Sequence, residues 1–156
     1  METRTIIESI GHKDLVDFLS TALYGSSWLS CDYSSEDYKL YCDVNERDCI
    51  EDKMAKLLLA DKEIMIGDRY AEDETDTYGT TLPHEWDEHN YVMWYTVKLS
   101  DIKRGIQTCL DGKGKDGDEA YLRRCATDYV NGEGDMDLCE AEAIMQVILW
   151  DKLIYG

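Results

Sequence analysis

The chain has 156 residues, with 34 Asp and Glu against 16 Lys and Arg, a formal net charge of −18 and a sequence pI near 4.3. That balance argues against direct binding to nucleic acid, which needs a basic patch to displace counterions from phosphate, and against an anionic membrane surface. With 44% hydrophobic residues, 4 Trp and 11 Tyr, there is apolar material for one packed domain and no compositional case for disorder.

Residues 1–9 are polar and mixed and lack the apolar run of a signal peptide. Residues 12–24 read as a helix, because Leu15, Phe18, Leu19, Ala22 and Leu23 recur on one face and Gly25 is a natural stop. The aromatic-rich stretches 27–33 and 38–44 predict two strands with a turn at 34–37. A second helix is expected over 47–60, capped by Asn45 and turning Ile50, Met54, Leu57 and Leu58 inward. Residues 63–68 predict a short strand, and 70–89 an acidic connection containing the one proline, Pro83. Residues 90–98 give the clearest strand, with Tyr91, Met93, Tyr95 and Val97 on one side and Val92, Trp94 and Thr96 on the other. Ser100 is expected to cap a helix running to about 110.

A glycine-rich turn at 111–118 precedes a helix over 119–130 that turns Leu122, Cys125 and Tyr129 inward, and 131–134 breaks the chain again. Asp137, with Glu140 three residues on, opens a last helix in the manner of a capping box. Ala141, Ile144, Met145, Ile148 and Leu149 form its stripe, which Val147 and Trp150 widen; such a helix is buried on several sides or meets a partner. Together these elements predict a single α+β domain over residues 1–156. Its mixed or antiparallel sheet has three to four strands packed with about five helices, and an acidic connection lies at about 70–90. No stretch approaches the roughly 18 apolar residues of a membrane span, so a cytoplasmic protein is expected.

The charge is unevenly placed. Residues 31–52 hold eight acids and two bases, 71–90 hold seven acids and no Lys or Arg, and 133–142 hold five acids and no base. The remaining 104 residues carry 14 of each sign, so a neutral scaffold bears three acidic segments. Two readings stand: solvated loops that aid solubility, or a negative surface aimed at a basic partner.

Motifs for chemistry are sparse. In His84-Glu85-Trp86-Asp87-Glu88-His89 the imidazoles are five residues apart, whereas the zinc-protease helix needs four. An exposed loop with solvated His84 and His89 is expected, with adventitious metal binding as the other reading. Lys113 and Lys115 spoil residues 111–119 as a calcium loop, and Met136 stands where such a loop needs Gly in the stretch Asn131, Glu133, Asp135, Asp137. The six cysteines, at 31, 42, 49, 109, 125 and 139, contain no C-x-x-C pair and are expected to be reduced thiols, several of them buried. No serine lies in G-x-S-x-G. No catalytic residue, cofactor or metal is therefore assigned, and a non-enzymatic protein is expected.

Four stretches carry a family resemblance: Thr21-Ala-Leu-Tyr-Gly-Ser-Ser-Trp28, Glu63-Ile-Met-Ile-Gly-Asp68, Tyr95-Thr-Val-Lys-Leu-Ser-Asp-Ile-Lys-Arg-Gly-Ile106 and the C-terminal run from Asp137 to Gly156. In this order they resemble an uncharacterised family of small acidic proteins from phages and integrative elements of Gram-positive bacteria. Ser26 departs from the family's second glycine, Ala60-Asp61 from a glycine pair, and the acidic stretch at 70–90 is longer. The resemblance implies a mobile-element accessory protein and, by analogy, a counter-defence factor such as an anti-CRISPR protein or DNA mimic. The expected partner is then the basic surface of a host nuclease or CRISPR effector in the bacterial cytoplasm. Partner-binding residues are expected at Glu72, Asp73, Glu74, Asp76, Glu85, Asp87 and Glu88, with Trp86 as an aromatic anchor. The alternatives are a module that sequesters a nucleotide signal through Arg104, Lys113, Lys115, Arg123 and Arg124, and a structural or regulatory homodimer joined through the apolar C-terminal helix.

Overall fold

The computed structural model describes residues 7–112, 118–131 and 136–155. In chain order the elements are α1 (His12–Gly25), β1 (Leu29–Asp32), α2 (Ser35–Tyr41), α3 (Ile50–Leu59), β2 (Ile64–Asp68), β3 (His84–Asp87), β4 (Val92–Val97), α4 (Leu99–Leu110), α5 (Glu119–Asn131) and α6 (Leu138–Trp150). The four strands form one antiparallel sheet in the order β1-β2-β4-β3. Helices α1–α6 and this sheet make a single α+β domain among the described residues, the fold class that the sequence pattern predicts. No helix among the described residues is long and apolar enough to cross a membrane.

Helix α6 is the centre of the helical layer. Its start is fixed by Asp137, whose side chain accepts from the Glu140 amide at 2.8 Å. From Ala143 to Trp150 every residue is buried, against α1, α4 and α5. The wide apolar stripe is therefore absorbed within the chain's own core. The approach of α4 to α6 is close enough to require glycine: a Cβ on Gly105 would lie 2.4 Å from Ile148 Cγ1 and 3.1 Å from its Cα.

At the end of α6 the chain turns through Asp151 and folds back over its own helix. Gln146, buried inside α6, accepts from the amides of Ile154 and Tyr155 at 2.7 and 2.9 Å and donates to the Tyr155 carbonyl at 3.1 Å. This clamp sets Tyr155 beside Trp28, Trp150, Tyr70 and Tyr78, with ring centroids 5.1 to 6.3 Å apart. The Tyr155 hydroxyl donates at 2.8 Å to Asp68, a carboxylate with no exposed surface at the end of β2. Asp68 also accepts from the Tyr70 amide at 2.9 Å, and burial raises its pKa above the ordinary range.

Three local expectations are corrected. Residues 38–44 do not form a strand: Ser34 accepts from the Asp37 amide at 3.1 Å and opens α2, with Glu36 and Asp37 in its first turn. Tyr38 alone turns inward there, where its hydroxyl meets Asp48 at 2.6 Å, so the aromatic content reflects one anchor and not a β face. Residues 84–87 are not part of a loop but form β3, paired with β4 and closed by a turn in which Tyr91 takes a positive φ. Its side chains read polar because it is an edge strand. Lys98 and Cys49, not Ser100 and Asn45, are the N-cap residues of α4 and α3. The turn at 111–118 and the break at 131–134 fall mostly outside the described residues.

Two outcomes follow from the packing. Gly105→Ala should destabilise the fold by about 1–3 kcal/mol in urea titration, although alanine is the better helix former. Tyr155→Phe, which strands a buried acceptor on Asp68, should cost about 1–3 kcal/mol by the same measurement.

Candidate functional site

The acidic connection is held in place by its neutral residues. Between β2 and β3, Ala71 and Leu82 are buried, the Tyr78 ring lies 5.3 Å from Trp150, and the Thr80 hydroxyl donates to the Leu149 carbonyl at 2.7 Å. Trp150 Nε1 donates to the Tyr95 hydroxyl at 2.9 Å, which donates on to the Asp76 carbonyl at 3.3 Å. Asp68 and Trp86 both align with Met93, on β4. The connection therefore leaves the sheet at the end where the β3–β4 turn stands.

The seven predicted acids divide by side-chain length. Asp73 accepts from the Thr75 amide at 2.8 Å and its hydroxyl at 2.5 Å, and Asp76 accepts from the Glu72 amide at 2.7 Å. Asp87 takes the amides of His89 and Asn90 at 3.0 and 3.1 Å and the Asn90 side-chain amide at 2.9 Å. These aspartates hold their own turns, as a short carboxylate does. Hydrogen bonds from Thr75 and from Asn90 hold the pKa values of Asp73 and Asp87 below the ordinary range. Glu72, Glu74, Glu85 and Glu88 are exposed, and none forms an ion pair with a described residue.

The sheet has two unlike faces. Ile64, Ile66, Met93, Tyr95 and Val97 point into the helical layer, and the half-buried Trp86 joins them there, 6.4 Å from Tyr91. Trp86 is thus turned toward the core. The opposite face carries Asp32, Met65, Val92, Trp94, Thr96 and Glu85, and its half-buried aromatic residue is Trp94. Its ring lies over Gly67, where a Cβ would come within 3.0 Å of Cε3 and Cζ3. Glu85 is its partner across the strands. A hollow of about 410 Å³ is lined by Glu85, Trp86, Asp87, Glu88, His89 and Trp94. Trp94 was not singled out from sequence as a site residue; its signal was its place in the Val92, Trp94, Thr96 alternation of β4.

Several acids of the other two segments are engaged within the domain. Asp48 pairs with Lys56 at 2.5 Å, Asp52 with His12 at 2.9 Å, and Glu51 is buried. Glu142 accepts from Trp28 Nε1 at 2.6 Å. Glu142 also borders a hollow of about 450 Å³ with Asp118, Tyr121, Gln146 and Tyr155, whose carboxylates are the wrong sign for a phosphate. His84 Nδ1 lies 2.9 Å from the Leu82 carbonyl, and His89 sits in the turn. Among the described residues no three His, Cys, Asp or Glu side chains converge as metal ligands. All six cysteines are free thiols, and burial pushes Cys109 and Cys125 up to about 12, far from a reactive thiolate.

The environment of Glu140 moves its titration toward neutrality. It is buried, its Oε2 has no donor, and Asp128 of α5 faces it. Burial first, and the Asp128 carboxylate second, push its pKa up to about 7.

Comparison with protein-family models, with curated proteins and with solved structures finds no match.

The Glu140 environment predicts the sign of a pH effect. An unfolded glutamate ionises near 4.5, while the native one keeps its proton to about 7. Stability should therefore fall as pH rises from about 5 to 7 and then level off. Glu140→Gln retains a side chain suited to the capping box and should flatten that decline, as read from thermal melts across the pH series.

Proposed function

We propose that this chain is a non-enzymatic inhibitor, acting in the cytoplasm of a bacterial host, that occupies the basic nucleic-acid channel of a defence complex. A CRISPR effector is the partner that the family resemblance implies. One observation carries the reading. Glu72, Glu74, Glu85 and Glu88 stand exposed and without ion pairs to described residues, in a stretch that has no Lys or Arg. Carboxylates held this way are available to Lys and Arg side chains that otherwise track phosphates, and Arg pairs with them in bidentate fashion.

The physics of association fits that role. A net charge of −18 steers a basic partner from a distance and makes the encounter sensitive to salt. The three aspartates of the same segment fix the backbone, so the glutamates extend from a shaped surface and lose less conformational freedom on binding. The homodimer alternative loses its proposed route, since the apolar residues of α6 are consumed inside the domain.

The test is retention from a Gram-positive host lysate on immobilised protein, at low and high salt, with identification by mass spectrometry. A basic nuclease or CRISPR effector should be held at low salt and released at high salt. The variant Glu72→Gln, Glu74→Gln, Glu85→Gln, Glu88→Gln should melt like the parent and bind that protein at least about tenfold more weakly. Retention of no basic protein at either salt, or equal binding by the variant, would overturn the proposal.

A further inference from the structure

We infer that the open face of the sheet is a docking surface for an arginine side chain of the basic partner, with the guanidinium stacked on Trp94 and held between Glu85 and Glu88. This rests on the reading of a basic partner given above and adds which cation is recognised and where.

Among the described residues no helix packs on this face. Met65, Val92 and Trp94 stand apart from the main core cluster, which lies on the helical side of the sheet. Trp94 is braced from behind: the strand beneath it is Gly67, and a Cβ there would meet the Trp94 ring at 3.0 Å and Val92 Cγ1 at 2.6 Å. The ring borders a hollow of about 410 Å³, room for a guanidinium and the end of its aliphatic stem. Glu85 is the cross-strand neighbour of Trp94, and Glu88 lines the same hollow from the turn. Asp87, saturated by the amides of His89 and Asn90 and the Asn90 side chain, is a positioning residue that fixes the turn.

Charge complementarity selects the occupant. Two free carboxylates beside an indole make a site for a cation with a planar face, and the lining contains no Lys or Arg to compete. Guanidinium satisfies both parts at once, because it stacks on the ring while its edge donates to carboxylates. An ammonium is compact and strongly hydrated and cannot do the first as well. Trp86, the other indole of the segment, borders the same hollow but packs its ring against the core cluster, whereas Trp94 stands outside that cluster.

The experiment uses the full chain with nona-arginine and nona-lysine peptides as probes, by titration calorimetry and by NMR of the four tryptophan indole N–H signals. Nona-arginine should bind about three- to tenfold more tightly than nona-lysine and shift the Trp94 signal most. Trp94→Leu leaves the charge unchanged and should remove the preference, with nona-lysine binding unaltered; Glu85→Gln with Glu88→Gln should weaken both peptides. Should Trp94→Leu fail to fold, the parent's indole shifts alone decide. Equal affinity for both peptides, or a Trp94 signal unmoved by nona-arginine, would overturn this inference and leave the electrostatic reading standing. Binding of neither peptide at low salt would overturn both.

Discussion

A buried carboxylate met by a hydroxyl from the far end of the chain is the contact on which the rest of this structure depends. Asp68 ends β2, Tyr155 lies in the C-terminal tail, and their hydrogen bond closes the sheet onto the helical layer. Leaving Asp68 without donors in that position would cost a large share of the stability of an ordinary domain. The bond forms only because Gln146 clamps the tail, and Gln146 is positioned because α6 is buried along its length. The aromatic rings around Tyr155 seal the junction. One of them, Tyr78, belongs to the acidic connection itself, so the same knot that closes the core anchors that connection.

That anchoring answers a problem posed by the charge. A net −18 on 156 residues works against compaction through self-repulsion. The fold relieves it by giving many carboxylates local employment. Asp137 caps a helix, Asp48 and Asp52 meet Lys56 and His12, Asp73 and Asp87 hold turns, and Glu140 meets the Asp128 carboxylate with its titration moved toward neutrality. Part of what is left over, Glu72, Glu74, Glu85 and Glu88, stands exposed at one end of the sheet and along its edge strand. A neutral scaffold with a local surplus differs from a uniformly acidic surface, because the surplus has a direction and a partner can be oriented by it.

The two faces of the sheet divide the labour. One buries Met93, Tyr95 and Val97 beneath the helices; the other carries the half-buried Trp94 and the exposed Glu85. An antiparallel sheet tolerates this, since its ladder satisfies the backbone and only one face must be dry. The edge position of β3 brings the acidic residues of 85–88 next to an aromatic ring on β4 with which they have no contact in sequence.

Much of this was legible in the residues. Period-3.6 patterns located α1 and α6, the alternation of 92–97 located β4 and its two faces, and the pair Asp137 and Glu140 located the start of the last helix. Helix, strand and cap are local consequences of side-chain spacing, so a sequence determines them directly. The absence of Lys and Arg from 71–90 likewise marks an acidic segment. The helix within 38–44 and the strand at 84–87 are not legible from sequence, because aromatic content and charge do not distinguish an anchor from a β face, or an edge strand from a loop. Only the tertiary structure decided which acids are free, because an aspartate's hydrogen bond to its own turn depends on the turn's backbone. Only register decided that Trp94 shares its sheet face with Glu85 while Trp86 shares that of Met93: a shift of one residue in a strand moves every side chain to the other face, and pairing across strands is set by contacts that lie far apart in the chain.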